Sequence, residues 1–244
     1  MTGEVGNNSF LRVEGITKRF GGFTALDKVS VDVVKGERFG LIGPNGSGKT
    51  TLINIISGVF RPEAGAIRFR GEDITHIAAH QRNRRGIARS FQIPRPFRSM
   101  TVLENLMVGQ DFAAGDASLH SRDRAHAILQ RMGLGAAANA LAGRLSQVEL
   151  RKMELARAMA AQPQLLVSDE AMAGLSSSEV DEVLDLLLGL SADGITIIMI
   201  EHIMHAVMRF SQRVMCLETG KIIALGEPKD VMANPRVQEA YLGA

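Results

Sequence analysis

The sequence lacks several features that would point its interpretation elsewhere. Tryptophan is absent, and the 244 residues include one tyrosine and one cysteine. The single cysteine, Cys216, excludes a disulfide within the chain and fits a reducing compartment. The formal net charge is only +2, so no overall basic field indicates nucleic-acid binding. The remaining composition, 45% hydrophobic and 22% charged, is that of a globular protein with a sizeable core.

Long apolar runs are also missing. The longest uninterrupted runs, Ile197–Ile200 among them, have only four residues, whereas a membrane-spanning helix needs roughly 20 apolar residues. The first ten residues have neither the basic nor the apolar segment of a signal peptide. We therefore expect that the chain does not cross a bilayer and that any membrane association comes through a partner.

Two kinds of strand pattern are present. Leu11–Ile16 and Val29–Val33 alternate polar and apolar residues, which predicts half-buried strands. Short apolar runs at 39–42, 165–170, 195–202 and 213–218 predict buried strands, and helical patterns separate the later ones. A capping box at Thr101–Glu104 and alanine-rich segments over 122–161 predict a helical insertion. This order indicates an α/β fold with a mainly parallel sheet covered on both faces.

A glycine-rich segment follows the strand at 39–42 and precedes a helical pattern. It matches G-x-x-x-x-G-K-[ST] without a mismatch. Its glycines let backbone N–H groups point at the β- and γ-phosphates of a nucleotide, and the following helix adds its positive N-terminal end. Lys49 would neutralise phosphate charge, and the Thr50 hydroxyl would hold Mg²⁺. The predicted nucleotide-binding residues here are Gly43, Pro44, Asn45, Gly46, Ser47, Gly48, Lys49, Thr50 and Thr51.

A second candidate site lies at the end of the apolar strand 165–170. Asp169 and Glu170 are two carboxylates at a buried strand end, which is costly without a cation. We predict that Asp169 holds Mg²⁺, directly or through water, and that Glu170 orients and polarises the attacking water. Acids at strand ends are common, so it is their combination with the phosphate loop that indicates nucleotide hydrolysis.

With both motifs present, the chain resembles the ATP-binding cassette (ABC) family along almost its whole length. The resemblance implies a P-loop NTPase (RecA-like) core, an N-terminal antiparallel β subdomain and an inserted α-helical subdomain. It assigns 1–91 plus 163–230 to the core and β subdomain, 92–162 to the helical subdomain, and 231–244 to a C-terminal tail. Further residues acquire roles by this resemblance. They are Phe20 for adenine stacking, the Q-loop glutamine Gln92 at the metal, the switch histidine His202 at the γ-phosphate, and the D-loop Ala173, Gly174, Leu175 and Ser176 between two subunits.

The chain departs from the family at two places. The family signature, Leu-Ser-Gly-Gly-Gln, appears as Leu145, Ser146, Gln147, Val148 and Glu149. In the family this segment closes over ATP bound to the other subunit. Val148 would hinder that approach, and Glu149 adds a negative charge. If the chain pairs with a different ATPase subunit, we therefore predict two unequal composite sites, one of them slow; accommodation of Val148 by a small backbone shift is the alternative. Ala171 replaces a proline, and we expect a looser turn there.

The segment 91–106 and the ending 226–243 look like those of branched-chain amino-acid importers, although the ending is also shared with the lipopolysaccharide-export ATPase. This resemblance implies uptake of such amino acids or similar small polar solutes. The expected cofactors are ATP and Mg²⁺. The expected partners are transmembrane permease subunits, a second ABC ATPase (homo- or heterodimer) and, indirectly, a solute-binding protein. The implied location is the cytoplasmic face of the inner membrane, peripherally bound and soluble when isolated.

Two other functions stay open at this stage: a nucleic-acid- or ribosome-associated ABC ATPase, and a regulatory subunit without useful turnover. The first is disfavoured because the chain has one cassette and no charged linker, coiled coil or zinc insertion. Intact Glu170 and His202 argue against the second. A local basic cluster is interpreted as a solvated face or as a patch for acidic residues of a membrane subunit, rather than as a nucleic-acid site. Its members are Arg82, Arg84, Arg85, Arg89, Arg95 and Arg98.

Overall fold

The computed structural model describes residues 9–91, 94–114 and 121–242. Its strands form two sheets. In chain order they are β1 (Ser9–Phe20), β2 (Phe23–Val34), β3 (Arg38–Ile42), β4 (Ala64–Phe69), β5 (Glu72–Asp73), β6 (Ile87–Ser90), β7 (Leu165–Asp169), β8 (Thr196–Ile200), β9 (Arg213–Glu218) and β10 (Lys221–Gly226). The smaller sheet is antiparallel, in the order β2-β1-β4-β5, and the larger has the order β10-β9-β3-β8-β7-β6. In the larger sheet every neighbouring pair is parallel except β9 and β10.

Helices cover the larger sheet and fill the segment between β6 and β7. They are α1 (Lys49–Ile56), α2 (Ala79–Arg84), α3 (Val102–Ala114), α4 (Ser121–Arg131), α5 (Gln147–Met159), α6 (Ser177–Ala192), α7 (Met204–Phe210), α8 (Pro228–Ala233) and α9 (Pro235–Leu242). No helix within the described residues is long and apolar enough to cross a membrane.

The parallel arrangement brings the site together at one edge of the larger sheet. All residues of β7 and β8 are buried, as expected for strands with helices on both faces. Leu41 of β3 and Asp169 of β7 both pair with Ile200 of β8. Since parallel strands point the same way, the segments that follow β3, β7 and β8 emerge side by side.

Two hydrophobic clusters hold these layers together. One lies between the two sheets and α1, and includes Ile16, Val33, Ile53 and Leu217. The other joins the larger sheet to the helices from α3 onward, and includes Leu106, Leu155, Leu187 and Phe210. Helix α1 is therefore fixed on its buried face, and its N-terminal end is left at the sheet edge.

The predicted fold class is confirmed, with differences in detail. The alternating strands extend further than predicted, over Ser9–Phe20 and Phe23–Val34. The helical segments predicted over 122–161 are α4 and α5, and short 3-10 turns and Gly133, with a φ of 68°, separate them. Strands β5, β6 and β10 and helix α2 were not predicted. The division into subdomains stays a prediction.

Candidate functional site

The loop between β3 and α1 needs glycine at two positions. Gly43 has a φ of 146°, and a Cβ there would lie 2.2 Å from the Leu217 carbonyl oxygen. Gly48 has a φ of 106°, and a Cβ there would lie 2.6 Å from the Ala25 carbonyl oxygen. Any side chain at these positions would push the loop away from its neighbours, so the glycines let the backbone curl as the sequence pattern predicts.

The start of α1 is left open to an anion. Its N-cap residue is Gly48, no side chain caps it, and no acidic residue lies in its first turn. The first backbone N–H groups of a helix have no partner inside the helix and carry the positive end of its dipole. The Ser47 hydroxyl, just before them, is buried and has no hydrogen-bond partner among the described residues. These donors fit a phosphate group.

Two backbone carbonyls of the phosphate loop hold the Lys49 side chain in place. Its Nζ donates to the carbonyl oxygens of Gly43, at 2.6 Å, and Pro44, at 2.9 Å. Burial lowers the pKa of Lys49, while nearby Glu170 acts in the opposite direction. Both of these hydrogen-bond acceptors are neutral carbonyls, so neither bond pairs the ammonium group with a negative charge.

A cavity of about 240 Å³ brings the loop, Glu170 and two aromatic rings together. Phe20 and Phe23 pair across the turn between β1 and β2 and are 45% and 55% exposed. The Phe20 ring contacts Phe60 edge-on, with centroids 5.4 Å apart. Such exposed rings offer a stacking surface for a base. The sequence prediction included Phe20 and missed Phe23, although the palindromic segment Phe-Gly-Gly-Phe at 20–23 was a signal.

Two of the three predicted metal ligands, Thr50 and Asp169, meet at a neighbouring cavity of about 480 Å³, which Arg89 also lines. Asp169 is buried, and its Oδ2 accepts a hydrogen bond from Arg89 Nη2 at 2.6 Å. A hydroxyl and a carboxylate are hard oxygen ligands, which fit Mg²⁺ when phosphate oxygens and water complete the shell. The third predicted ligand, Gln92, lies outside the described residues.

The turn that carries Glu170 is firmly held. Glu170 has a φ of 46°, an uncommon conformation for a residue other than glycine. Its N–H donates to the Ile200 carbonyl at 3.0 Å, and the Met172 N–H donates to Glu201 Oε1, also at 3.0 Å. Helix α5 adds a bond from Arg151 Nη2 to the Ala173 carbonyl at 2.9 Å. These three hydrogen bonds tie the turn to residues outside it, and the looser turn expected from Ala171 stays a prediction.

Glu201 is a buried acid next to this turn that the sequence prediction did not include. Burial raises its pKa to about 7; the Met172 N–H counteracts this in part, and the Glu170 carboxylate adds to it. The adjacent His202 lies two residues after the end of β8 and is exposed. Of the residues predicted for catalysis, Lys49 and Glu170 share the phosphate-loop cavity, and His202 does not line it.

The signature segment lies outside the cavity of the chain's own phosphate loop. None of the described residues that line the phosphate-loop cavity belongs to it. Ser146 is the N-cap of α5, and Glu149 Oε2 accepts from both the Ser146 N–H, at 2.8 Å, and the Ser146 hydroxyl, at 2.9 Å. Val148 is half-buried and packs against the hydrophobic core, while Gln147 is exposed. The predicted capping box is thus present, and a carboxylate of the same chain occupies the Ser146 donors.

The segment predicted as the D-loop runs from the turn that carries Glu170 into α6. Gly174 has a φ of 78°, and the Leu175 N–H donates to the Met172 carbonyl at 3.2 Å. Ser176 caps α6 through a second capping box with Glu179, whose Oε2 lies 2.8 Å from the Ser176 N–H. These hydrogen bonds lower the pKa of Glu179.

The last helix also reaches the phosphate loop. Tyr241 of α9 accepts a hydrogen bond at its hydroxyl from the Gly43 N–H, at 2.7 Å. Burial raises the pKa of Tyr241 to about 12, so the hydroxyl stays neutral. This contact joins the C-terminal segment to the first residue of the loop, which the sequence alone did not indicate.

The basic cluster proves to be two kinds of arginine. Arg82 is 1% exposed, and the side chain of Arg89 is 10% exposed. For these two the prediction of a solvated face or docking patch was wrong, because each guanidinium is bonded inside the protein. The remaining members are exposed, namely Arg84, Arg85, Arg95 and Arg98.

Comparison with known proteins agrees with this geometry. A family model described as ABC transporter matches residues 26–173, and one described as branched-chain amino acid ATP-binding cassette transporter matches 221–244. The chain is 38% identical to the high-affinity branched-chain amino acid transport ATP-binding protein LivG of Escherichia coli, over 96% of this chain and 97% of that protein.

Two solved structures extend the comparison. The ADP conformation of MJ1267, an ATP-binding cassette of an ABC transporter, superposes with a TM-score of 0.90 at 36% identity and covers 97% of this chain and 99% of that one. The dimeric post-hydrolysis state of the cassette MJ0796, bound to ADP and Pi, has a TM-score of 0.80 at 26% identity, covering 89% of this chain and 98% of that one.

Proposed function

The chain belongs to the ABC transporter family, and from this premise we propose that it is the subunit that binds and hydrolyses ATP to drive a membrane importer of branched-chain amino acids. The observation that carries the proposal is the uncapped start of α1, which shares one cavity with Lys49 and Glu170. The cargo is supported by the name of the LivG relative and by the model that matches 221–244. No observation favours lipopolysaccharide export or a nucleic-acid partner.

The roles follow from the geometry of the site. The loop amides and Lys49 would bind the β- and γ-phosphates, and Phe20 and Phe23 would stack on the base. Glu170 would orient and polarise the attacking water, and His202 would contact the γ-phosphate. Thr50, Asp169 and Gln92 would hold Mg²⁺, which supplies neutralisation of the phosphate charge when bound.

A working site would need two chains, because the signature segment lies outside the chain's own phosphate-loop cavity. The D-loop would pass between them. In the composite site that uses this chain's signature, the γ-phosphate would have to displace the Glu149 carboxylate from the Ser146 donors. Losing one donor of this kind typically costs about 10²–10³ in rate. We propose that, when the partner is a different ATPase subunit, this site turns over slowly, while the site with this chain's phosphate loop and the partner's signature hydrolyses ATP.

The remaining partners and the location are inferred in the same way. They are transmembrane permease subunits, a second ABC ATPase that is identical or different, and indirectly a solute-binding protein. The chain would work at the cytoplasmic face of the inner membrane, held there by the permease. Its helical insertion, 92–162, would form a subdomain beside the core.

Uptake in cells tests the proposed function. In cells that lack the chromosomal copy, the wild-type chain should restore uptake of labelled leucine, isoleucine and valine, whereas Lys49→Ala and Glu170→Gln should not. Steady-state MgATP hydrolysis by the purified chain, with Lys49→Ala as the control, tests the enzymatic part separately. If uptake does not depend on the chain but hydrolysis depends on Lys49, the proposed ATPase activity stands and the proposed cargo is wrong.

Two substitutions in the signature test the unequal sites. Glu149→Gln keeps a residue that can complete a capping box but removes its charge, and Val148→Gly restores the family residue. Either change should raise turnover of the assembled transporter several-fold. Unchanged turnover in both variants, or fast hydrolysis by the isolated wild-type chain, would contradict the slow site.

A further inference from the structure

Arg89 connects three elements of the site. It lies on β6, and its side chain is 10% exposed. Its Nη2 donates to Asp169 Oδ2 on β7 at 2.6 Å, and its Nη1 donates to Asn54 Oδ1 on α1, also at 2.6 Å. The remaining nitrogen of the guanidinium, Nε, is buried and has no acceptor among the described residues. A buried guanidinium is expensive to desolvate, so its retention here needs a reason beyond packing.

The position of Asn54 suggests that reason. Asn54 lies four residues after Thr50 on α1, so the two side chains are one helical turn apart on the same face. Arg89 therefore bridges the carboxylate of one proposed metal ligand, Asp169, to the helix that carries the other, Thr50. A guanidinium is planar and presents its donors in a rigid fork, so the bridge fixes a distance as well as a charge.

The two oxygens of Asp169 are thereby made unequal. Oδ2 is taken by Arg89 at 2.6 Å, and Oδ1 accepts no hydrogen bond from the described residues. Asp169 and Thr50 line the same cavity of about 480 Å³. Residues that hydrogen-bond a metal ligand orient it, and their loss typically lowers metal affinity by about 10–100-fold.

We propose that Arg89 is the positioning residue of the Mg²⁺ site: it fixes the Asp169 carboxylate and its separation from Thr50 by bridging Asp169 to Asn54. This rests on the proposed function, which places Mg²⁺ between Thr50 and Asp169. The alternative, that Arg89 only neutralises Asp169, predicts the opposite change in Mg²⁺ affinity. A guanidinium that merely neutralised Asp169 would compete with Mg²⁺, and its removal would strengthen metal binding.

The test measures metal binding directly. Binding of a fluorescent ATP analogue to the whole chain is followed while Mg²⁺ is titrated, and again in EDTA without Mg²⁺. In Arg89→Met the Mg²⁺ concentration for half-maximal effect should rise about 10–100-fold, while the affinity in EDTA should stay as in wild type. Arg68→Met, the same replacement at an exposed arginine of β4, is the matched control and should change neither.

Two milder variants keep the test decisive if Arg89→Met does not fold. Asn54→Ala removes one end of the bridge, and Arg89→Lys keeps the charge but cannot reproduce the fork; both should also raise the half-maximal Mg²⁺ concentration. An unchanged or lower value in the folded variants would overturn the proposal. Loss of affinity in EDTA as well would show a general structural role and would also overturn it. A wild-type chain whose nucleotide binding ignored Mg²⁺ would contradict the proposed metal site itself.

Discussion

Arg82 is a buried cation that forms no ion pair with a carboxylate among the described residues, and the cost of replacing it by methionine can be worked out from its hydrogen bonds. Its guanidinium donates to four backbone carbonyls: Ile55 at 2.6 Å, Ile56 at 2.8 Å, Ile77 at 2.9 Å and Thr75 at 3.0 Å. The first two belong to the last turn of α1, where carbonyls have no partner inside the helix and attract positive charge. Arg82 thus ties the end of the phosphate-binding helix to the segment that leads into α2.

The expected loss is smaller than the sum of these bonds. A hydrogen bond to a charged group contributes about 1.5–3 kcal/mol, but methionine avoids the desolvation of a guanidinium, which costs several kcal/mol. We expect Arg82→Met to lower the free energy of unfolding by about 3 kcal/mol, and the melting temperature by about 6–12 °C. Thermal and urea unfolding of the nucleotide-free chain measure this. Arg84→Met, on the same helix but exposed, should cost under about 0.5 kcal/mol. Equal stability of the two variants would refute the reasoning.

Two further predictions concern the nucleotide cavity and its buried acid. Phe23→Ala should weaken binding of a fluorescent ATP analogue by about 1–3 kcal/mol, the usual contribution of a base stacked on a ring. Phe97→Ala, at a ring that is 47% exposed and does not line the cavity, should not weaken binding; equal effects would exclude stacking on Phe23. Because burial raises the pKa of Glu201 to about 7, its ionisation opposes folding: the penalty is absent below the ordinary pKa near 4.5 and complete above about 7. As the pH rises from 4.5 to 8, Glu201→Gln should therefore gain about 3 kcal/mol of stability relative to wild type. Urea unfolding of both proteins at several pH values measures this, and a stability difference that does not vary with pH would contradict it.

Local patterns predicted the parts of the site that lie within one segment. The phosphate loop, the strand-end acids and the capping box at Ser146 all depend on residues a few positions apart, and the structure shows each arrangement. Arg82 and Arg89 were misread because their neighbours in sequence are exposed arginines, whereas their bonding partners lie up to 80 residues away. Glu201 and Tyr241 were missed for the same reason: only tertiary packing brings them to Met172 and Gly43.

The position of β3 in the larger sheet has a consequence for the order in which the protein folds. The strand that leads into the phosphate loop pairs only with β8 and β9 among the described strands, which lie more than 150 residues later in the chain. During synthesis, β3 therefore has no sheet partner until most of the protein has left the ribosome. Contacts of such long sequence separation form slowly and leave apolar edges exposed meanwhile. We therefore expect nucleotide binding to appear late in folding, and nascent chains that end before β9 to remain unable to bind ATP.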